Sequence, residues 1–149
     1  MKNSGEKGKK YVLSGGLAAV MVMMATVSQA AELSFDVRKS AEAELQDGEV
    51  IATGRIICRE AHTGFHVWMN TREDGGRPGH YLIQGKRGDR NELRVRLEGD
   101  SWSVVQDERK GMIKSGSDEL AVFDVVSDGR QRAGADEYAF SVSGSCTDK

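Results

Sequence analysis

The chain has 149 residues, 38% of them hydrophobic and 30% charged, with 18 glycines, one proline and two cysteines. That is the length of one ordinary domain. The apolar share is too low for a multispanning membrane protein, and the regularly spaced Val, Ile, Leu and Phe are too patterned for a disordered chain, so a small globular domain remains.

The first thirty residues read as a targeting segment. Lys2, Lys7, Lys9 and Lys10 open it, an apolar run follows over residues 11–27, and Ser28-Gln29-Ala30 closes it with small residues where signal peptidase needs them. The expectation is a signal peptide over residues 1–30 and a mature domain over residues 31–149. The competing reading is an uncleaved membrane anchor, which the run is barely long enough to form; Gly15, Gly16 and the small-x-small exit favour cleavage. Taking the leader's four lysines and one glutamate from the 21 basic and 23 acidic side chains leaves 17 and 22, a formal charge of −5. A domain this acidic, with no Lys/Arg stripe, lacks the footprint of a nucleic-acid binder.

Period-two alternation runs through the mature chain, and no 3.6-residue stripe competes with it. Leu33, Phe35 and Val37 mark a first strand. Residues 49–60 form a second, with Val50, Ala52, Gly54, Ile56 and Cys58 on one face, and Phe65, Val67 and Met69 a third. Residues 80–84 form a fourth, and Leu93, Val95 and Leu97 a fifth with a charged outer face. Short strands are expected near 102–106 and 111–114. Residues 120–126 are apolar on both parities, as in a strand buried on both sides or at a sheet switch, and the last strand runs over 137–146. Residues 40–47, the one stretch with helix formers, are read as a loop with at most a helical turn.

Many short strands separated by turn residues argue an all-β fold, a two-sheet antiparallel sandwich. Cys58 and Cys146 form an even pair in an exported domain and predict one disulfide, closing a loop of roughly ninety residues worth about 4 to 5 kcal/mol in the chain-entropy model. A free thiol or a metal site is the rival reading. The order Cys58, Trp68, Cys146 and the Asp136-Glu137-Tyr138 opening of the last strand, set like a tyrosine corner, sharpen the expectation to an immunoglobulin-like sandwich; the competing reading is another β-sandwich in which the tryptophan is coincidental. Its expected core is Phe65, Trp68, Tyr138, Phe140 and Val142.

After Cys146 only three residues remain, too few for the final strand that normally pairs with the second-cysteine strand. The expectation is a sandwich lacking its last strand, with an open groove edged by Tyr138, Phe140, Val142 and Gly144 that an extended donor strand from another chain completes. The competing reading is a sheet closed by the domain's own residues.

The stretch Ala52-Thr53-Gly54-Arg55-Ile56-Ile57-Cys58-Arg59-Glu60-Ala61-His62-Thr63-Gly64-Phe65-His66-Val67-Trp68-Met69-Asn70, with Glu92-Leu93-Arg94-Val95-Arg96 and the ending Glu137-Tyr138-Ala139-Phe140-Ser141-Val142-Ser143-Gly144-Ser145-Cys146, resembles the AfaD-like invasins. These are minor, tip-located subunits of Afa/Dr and aggregative adherence fimbriae in enterobacteria. The resemblance covers nearly the whole mature chain. It implies an immunoglobulin-like fimbrial subunit held by a periplasmic fimbrial chaperone, passed to an outer-membrane usher, completed by a strand from the major fimbrial subunit and carried to the cell surface at the fimbrial tip. Attachment to host cells, or uptake by them, would be its role. If residues 33–38 are the domain's own first strand, Ala31-Glu32 leads directly into it and leaves no spare donor segment, so the subunit would accept a strand without giving one; the competing reading makes residues 33–38 the donor segment and reverses this.

Arg87-Gly88-Asp89 falls between two predicted strands and is a candidate integrin-binding loop; the competing reading is a plain turn, since Gly-Asp is ordinary hairpin chemistry. No catalytic, metal or cofactor site is expected. His62 lies in a turn and His66 on a strand without a third ligand, and His80 is isolated. The run Gly75-Gly76-Arg77-Pro78-Gly79 lacks the setting and the lysine of a phosphate loop. The reading is therefore a non-enzymatic fimbrial tip subunit. The alternative is a free-standing secreted immunoglobulin-like binding module or inhibitor.

Overall fold

A computed structural model of the chain describes residues 19–28, 31–38, 44–88, 90–106 and 110–148. Twelve strands follow in order: β1 (Ala19–Ser28), β2 (Ala31–Val37), β3 (Glu44–Leu45), β4 (Val50–Cys58), β5 (Gly64–Met69), β6 (His80–Gln84), β7 (Glu92–Glu98), β8 (Ser103–Val104), β9 (Met112–Ser115), β10 (Leu120–Ser127), β11 (Gln131–Arg132) and β12 (Asp136–Thr147). One sheet runs β2-β4-β10-β7-β6, the other β1-β12-β5-β9-β8, and β11-β3 is a small ribbon. The architecture is an all-β, immunoglobulin-like sandwich. Its pairings are antiparallel except that of β1 with β12, which is parallel.

The alternation that predicts these strands also decides what they bury, because successive side chains leave a strand on opposite faces. In β7 the buried residues are Leu93, Val95 and Leu97, while Arg94 and Arg96 lie on the other face. Phe65, Val67 and Met69 of β5 meet Tyr138, Phe140 and Val142 of β12 in the core, all of them at most 4% exposed. Each such aromatic or branched side chain contributes on the order of 1.5–3 kcal/mol by leaving water. Cys58 at the end of β4 is disulfide-bonded to Cys146 in β12, with a Cα–Cα separation of 5.9 Å, so the bridge ties one sheet to the other.

Trp68 does not belong to that core. It has the opposite parity to Phe65, Val67 and Met69, stands opposite Ser143, and stacks on His66 at 4.6 Å on the outer face. The indole against the core is Trp102, whose ring lies 5.9 Å from Phe123 and 6.4 Å from Phe65. β10 is also simpler than its composition implies. Ala121, Phe123 and Val125 are buried, whereas Leu120 and Val122 are 45% and 48% exposed, so only one face of its first half is covered. Within the expected loop at 40–47, Glu44–Leu45 pairs with Gln131–Arg132, and residues 39–43 lie outside the described residues.

His62 closes the disulfide end. Its Nδ1 lies 2.6 Å from the Glu60 carbonyl and its Nε2 2.7 Å from the Asp118 carbonyl, so both nitrogens face acceptors and both contacts are hydrogen bonds when the ring is doubly protonated.

Candidate functional site

β12 is the strand on which the sequence places the groove. On one side it pairs antiparallel with β5, from Val142 opposite Met69 to Thr147 opposite Gly64. Its other side pairs in parallel with β1, which sets Met21, Met23, Ala25 and Val27 opposite Tyr138, Phe140, Val142 and Gly144. The four residues expected to edge a groove thus lie on β12 directly opposite β1. The side chains of Tyr138, Phe140 and Val142 are fully buried and form the floor, and the hydrogen-bonding edge is the backbone of β12. Ala19 and Met21 of β1 are 0% and 5% exposed, and Met23 packs partly against the core. The occupant of this edge is thus a stretch of the segment read as the leader.

Two local features hold β12 in place. The Tyr138 hydroxyl donates to the Gly134 carbonyl at 2.7 Å, the tyrosine-corner bond expected from its position four residues on. At Gly144 a Cβ would lie 2.9 Å from Ile56 Cδ1 and 3.2 Å from both Leu33 methyls, so the bare glycine lets these side-chain ends of the opposite sheet pack directly on the β12 backbone.

Beside the start of β12 lies the turn that carries Arg87 and Gly88; Asp89 lies outside the described residues. The turn is fastened to β12 through Asp136. Its carboxylate accepts the Arg87 amide at 3.0 Å, the Asn91 side-chain amide at 2.9 Å and the Glu137 amide at 2.6 Å. The Lys86 backbone N–H donates to the Glu137 carbonyl at 3.1 Å, and the Lys86 ammonium pairs with the Glu137 carboxylate at 3.2 Å. Burial pushes the Asp136 carboxyl up, but the Asn91, Glu137 and Arg87 donors together hold it below the ordinary aspartate value. The Arg87 side chain is exposed, so the turn presents a cation from an anchored backbone. The sequence marks Asp136 only as the opening of the last strand; an Asp at that position gives no signal of which loop it will clasp.

A second polar cluster lies on the other sheet. Asp128 receives His80 Nδ1 at 2.9 Å, Arg96 at 3.0 Å and Arg77 at 3.2 Å, and Arg96 also reaches Asp47 at 2.8 Å and Glu98 at 2.6 Å. Burial opposes the Asp128 charge, yet the His80 and Arg96 hydrogen bonds carry its carboxyl below the usual range. Asp47 is lowered as well, by its bonds to Arg96 and to the Gly129 amide. The three histidines occupy separate surroundings: His62 between two carbonyls, His66 against Trp68 and the Lys110 carbonyl, and His80 on Asp128. Among the described residues no group of three or more His, Cys, Asp or Glu side chains is arranged to hold a metal ion.

Residues 41–144 match the family model described as Enterobacteria AfaD invasin protein. The chain is 52% identical over 128 residues to protein AfaD of Escherichia coli, an alignment covering 85% of this chain and 86% of that one. It is 39% identical over 140 residues to E. coli protein AggB, covering 93% and 95% of the two chains. The crystal structure of the E. coli Hda pilus minor tip subunit, HdaB, superposes with a TM-score of 0.75 at 36% identity, over 80% of this chain and 84% of that one. The chain belongs to the enterobacterial AfaD invasin family, whose members are fimbrial adhesin and invasin subunits rather than enzymes.

Proposed function

We propose that the protein is a minor fimbrial tip subunit, exported with removal of residues 1–30, that receives a strand from the major fimbrial subunit along β12 and mediates attachment to host cells or uptake by them. The observation that carries this reading is the source of the strand now beside β12. Of its two neighbours, β5 belongs to the mature domain and β1 lies wholly within the segment read as a leader. Cleavage after Ala30 leaves ten residues' length of β12 backbone unpaired over an apolar floor, a state costly in water and prone to aggregation. A periplasmic chaperone strand fills that edge first, and the major subunit's strand replaces it at the outer-membrane usher. The donor must be extended and must place apolar side chains at alternate positions, as Ala19, Met21 and Met23 do.

The other terminus of the mature domain supports a tip position. Ala31–Val37 pairs in register with β4, Ala31 opposite Cys58 and Val37 opposite Ala52, so this segment is committed to its own sheet. A subunit that accepts a strand and has none to give ends a fibre. For host contact Arg87-Gly88-Asp89 is the candidate integrin-binding element, with the Arg87 side chain exposed and the Arg87 amide held by Asp136.

Thermal unfolding of oxidised residues 31–149, with and without a synthetic donor-strand peptide from the cognate major subunit, tests the reading. The expected result is a rise in Tm of about 10 °C or more, since each kcal/mol is worth roughly 3–6 °C in a domain of this size. A stable monomer that the peptide leaves unchanged overturns it and makes a free-standing secreted binding module the better account. Scrambling Arg87-Gly88-Asp89 in the complemented subunit, with binding to purified integrin as readout, tests the loop separately.

A further inference from the structure

β10 outruns one of its two neighbours. It stays paired with β4 from Leu120 onward, but with β7 only from Asp124 to Ser127. β7 ends at Glu98, and the chain turns away through Gly99 and Ser101, the latter at φ 68°. A Cβ on Gly99 would lie 2.4 Å from Trp102 Cδ1, so glycine is what allows the indole to fold back over the turn. Residues 120–122 therefore have one edge bound to β4 and one along which, among the described residues, no strand lies.

The chemistry of that second edge follows from alternation. The Glu119 carbonyl is bonded to the Cys58 amide on the β4 side, so Leu120 and Val122 turn their amide and carbonyl groups the other way. The Val122 carbonyl there takes a side-chain donor in place of a strand, Trp102 Nε1 at 2.9 Å. The edge opens on a cleft of about 730 Å³ whose lining includes Trp102, Val104 and Val122 as apolar surface and Glu98, Asp100 and Asp124 as carboxylates. Leu120, Val122 and Val104 are 45%, 48% and 41% exposed. Arg96, a basic residue of the lining, is already engaged by Asp47, Glu98 and Asp128. Lys114 Nζ donates to the Asp100 backbone carbonyl at 3.4 Å and the Thr53 hydroxyl donates to the Asp124 carboxylate at 2.9 Å, while Asp100 itself lies on the rim in an exposed turn.

We propose that this edge is a docking site for an extended peptide segment of a partner protein, one that adds a strand beside Leu120–Val122 and carries a lysine or arginine to Asp100 or Asp124. Main-chain bonds supply register, the exposed Leu120 and Val122 supply apolar contact, and the acidic rim selects a basic segment. A second copy of this chain fits poorly, because it brings the same acidic rim and a formal mature charge of −5 to a site already short of cations.

The test is a titration of the 15N-labelled full-length chain with a blocked eight-residue peptide of alternating valine and lysine, against its valine–glutamate counterpart. The lysine peptide is expected to shift the Leu120 and Val122 amides saturably, at least tenfold more tightly than the glutamate peptide and less tightly as salt rises. Val122→Pro removes the free-edge amide and is expected to weaken binding at least tenfold. The double variant Asp100→Lys, Asp124→Asn is expected to abolish the preference for lysine even if the proline variant fails to fold. Equal binding of both peptides, or shifts confined to other strands, overturns the proposal. So does self-association that broadens the Leu120 and Val122 amides without any peptide, which would assign the edge to a second copy.

Discussion

β4 and β12 are each flanked on both sides, and each carries one half of the disulfide, yet their neighbours have different origins. β4 lies between β2 and β10, both from residues 31–149, whereas β12 lies between β5 and a strand from the segment read as a leader. The difference shows that a sandwich can build a complete core and still owe one strand. The floor of the groove, Tyr138, Phe140 and Val142, is fully buried by the mature domain's sheets together with β1. On the proposed removal of residues 1–30, what residues 31–149 do not supply is the row of backbone partners that β1 provides along one edge of β12. Hydrophobic burial tolerates many partners, but unpaired N–H and C=O groups accept only an extended chain in register.

If the two sheets depend on the bridge that joins them, the largest effect on this comparison comes from cutting it. Replacing both Cys58 and Cys146 by serine is expected to cost about 4 kcal/mol, as a loop of this length implies, and chemical denaturation of the complemented subunit measures it. Equal stability of the oxidised and serine forms would mean that the donor strand alone holds β12 against the other sheet.

A smaller effect separates the two tryptophans. Trp102→Ala is expected to cost about 3 kcal/mol, because it empties the space beside Phe65 and Phe123 and strips the Val122 carbonyl of its donor, whereas Trp68→Ala on the outer face is expected to cost about 1 kcal/mol. Denaturant midpoints of the two variants check the order, and a reversed order would return Trp68 to the core.

The smallest effect is acid lability. Asp47, Asp128 and Asp136 all have folded-state values below the ordinary carboxylate range, so the folded form binds fewer protons than the unfolded chain. Their contribution is complete above roughly pH 4 and is lost as pH falls through the depressed folded values. Asp128→Asn is expected to lower Tm at pH 7 by a few degrees and to narrow its drop between pH 5 and 2. Asp136→Asn should act similarly while also loosening the Arg87 amide, which hydrogen exchange reads directly. The contrast sorts acid sensitivity between the closed sheet and the turn beside the groove.

Much of the fold was legible from period two alone. In Leu93-Arg94-Val95-Arg96-Leu97 the pleat decides the faces locally, and no distant residue is needed to read them. The same rule, applied strictly, puts Trp68 outside, and the Cys-Trp-Cys order misassigned it because another indole fills the same part of the core. Trp102 gave little signal, since β8 is two residues long and the turn before it, not a strand pattern, places the ring. The candidate site divides in the same way. Tyr138, Phe140, Val142 and Gly144 could be named from one alternating strand. Asp136 could not, since its partners Arg87 and Asn91 lie 49 and 45 residues away.

Residue order was enough to specify most of the strands of residues 31–149, the buried faces of strands such as β7 and β12, and the pairing of Cys58 with Cys146, because side-chain alternation and a lone cysteine pair are local or countable properties. Only the folded molecule decided which strand lies beside which, that β7 stops short of β10, and that Asp136 clasps the Arg87 turn. Those facts depend on contacts across tens of residues, where many pairings share one hydrophobic pattern and the close approach of whole sheets selects among them.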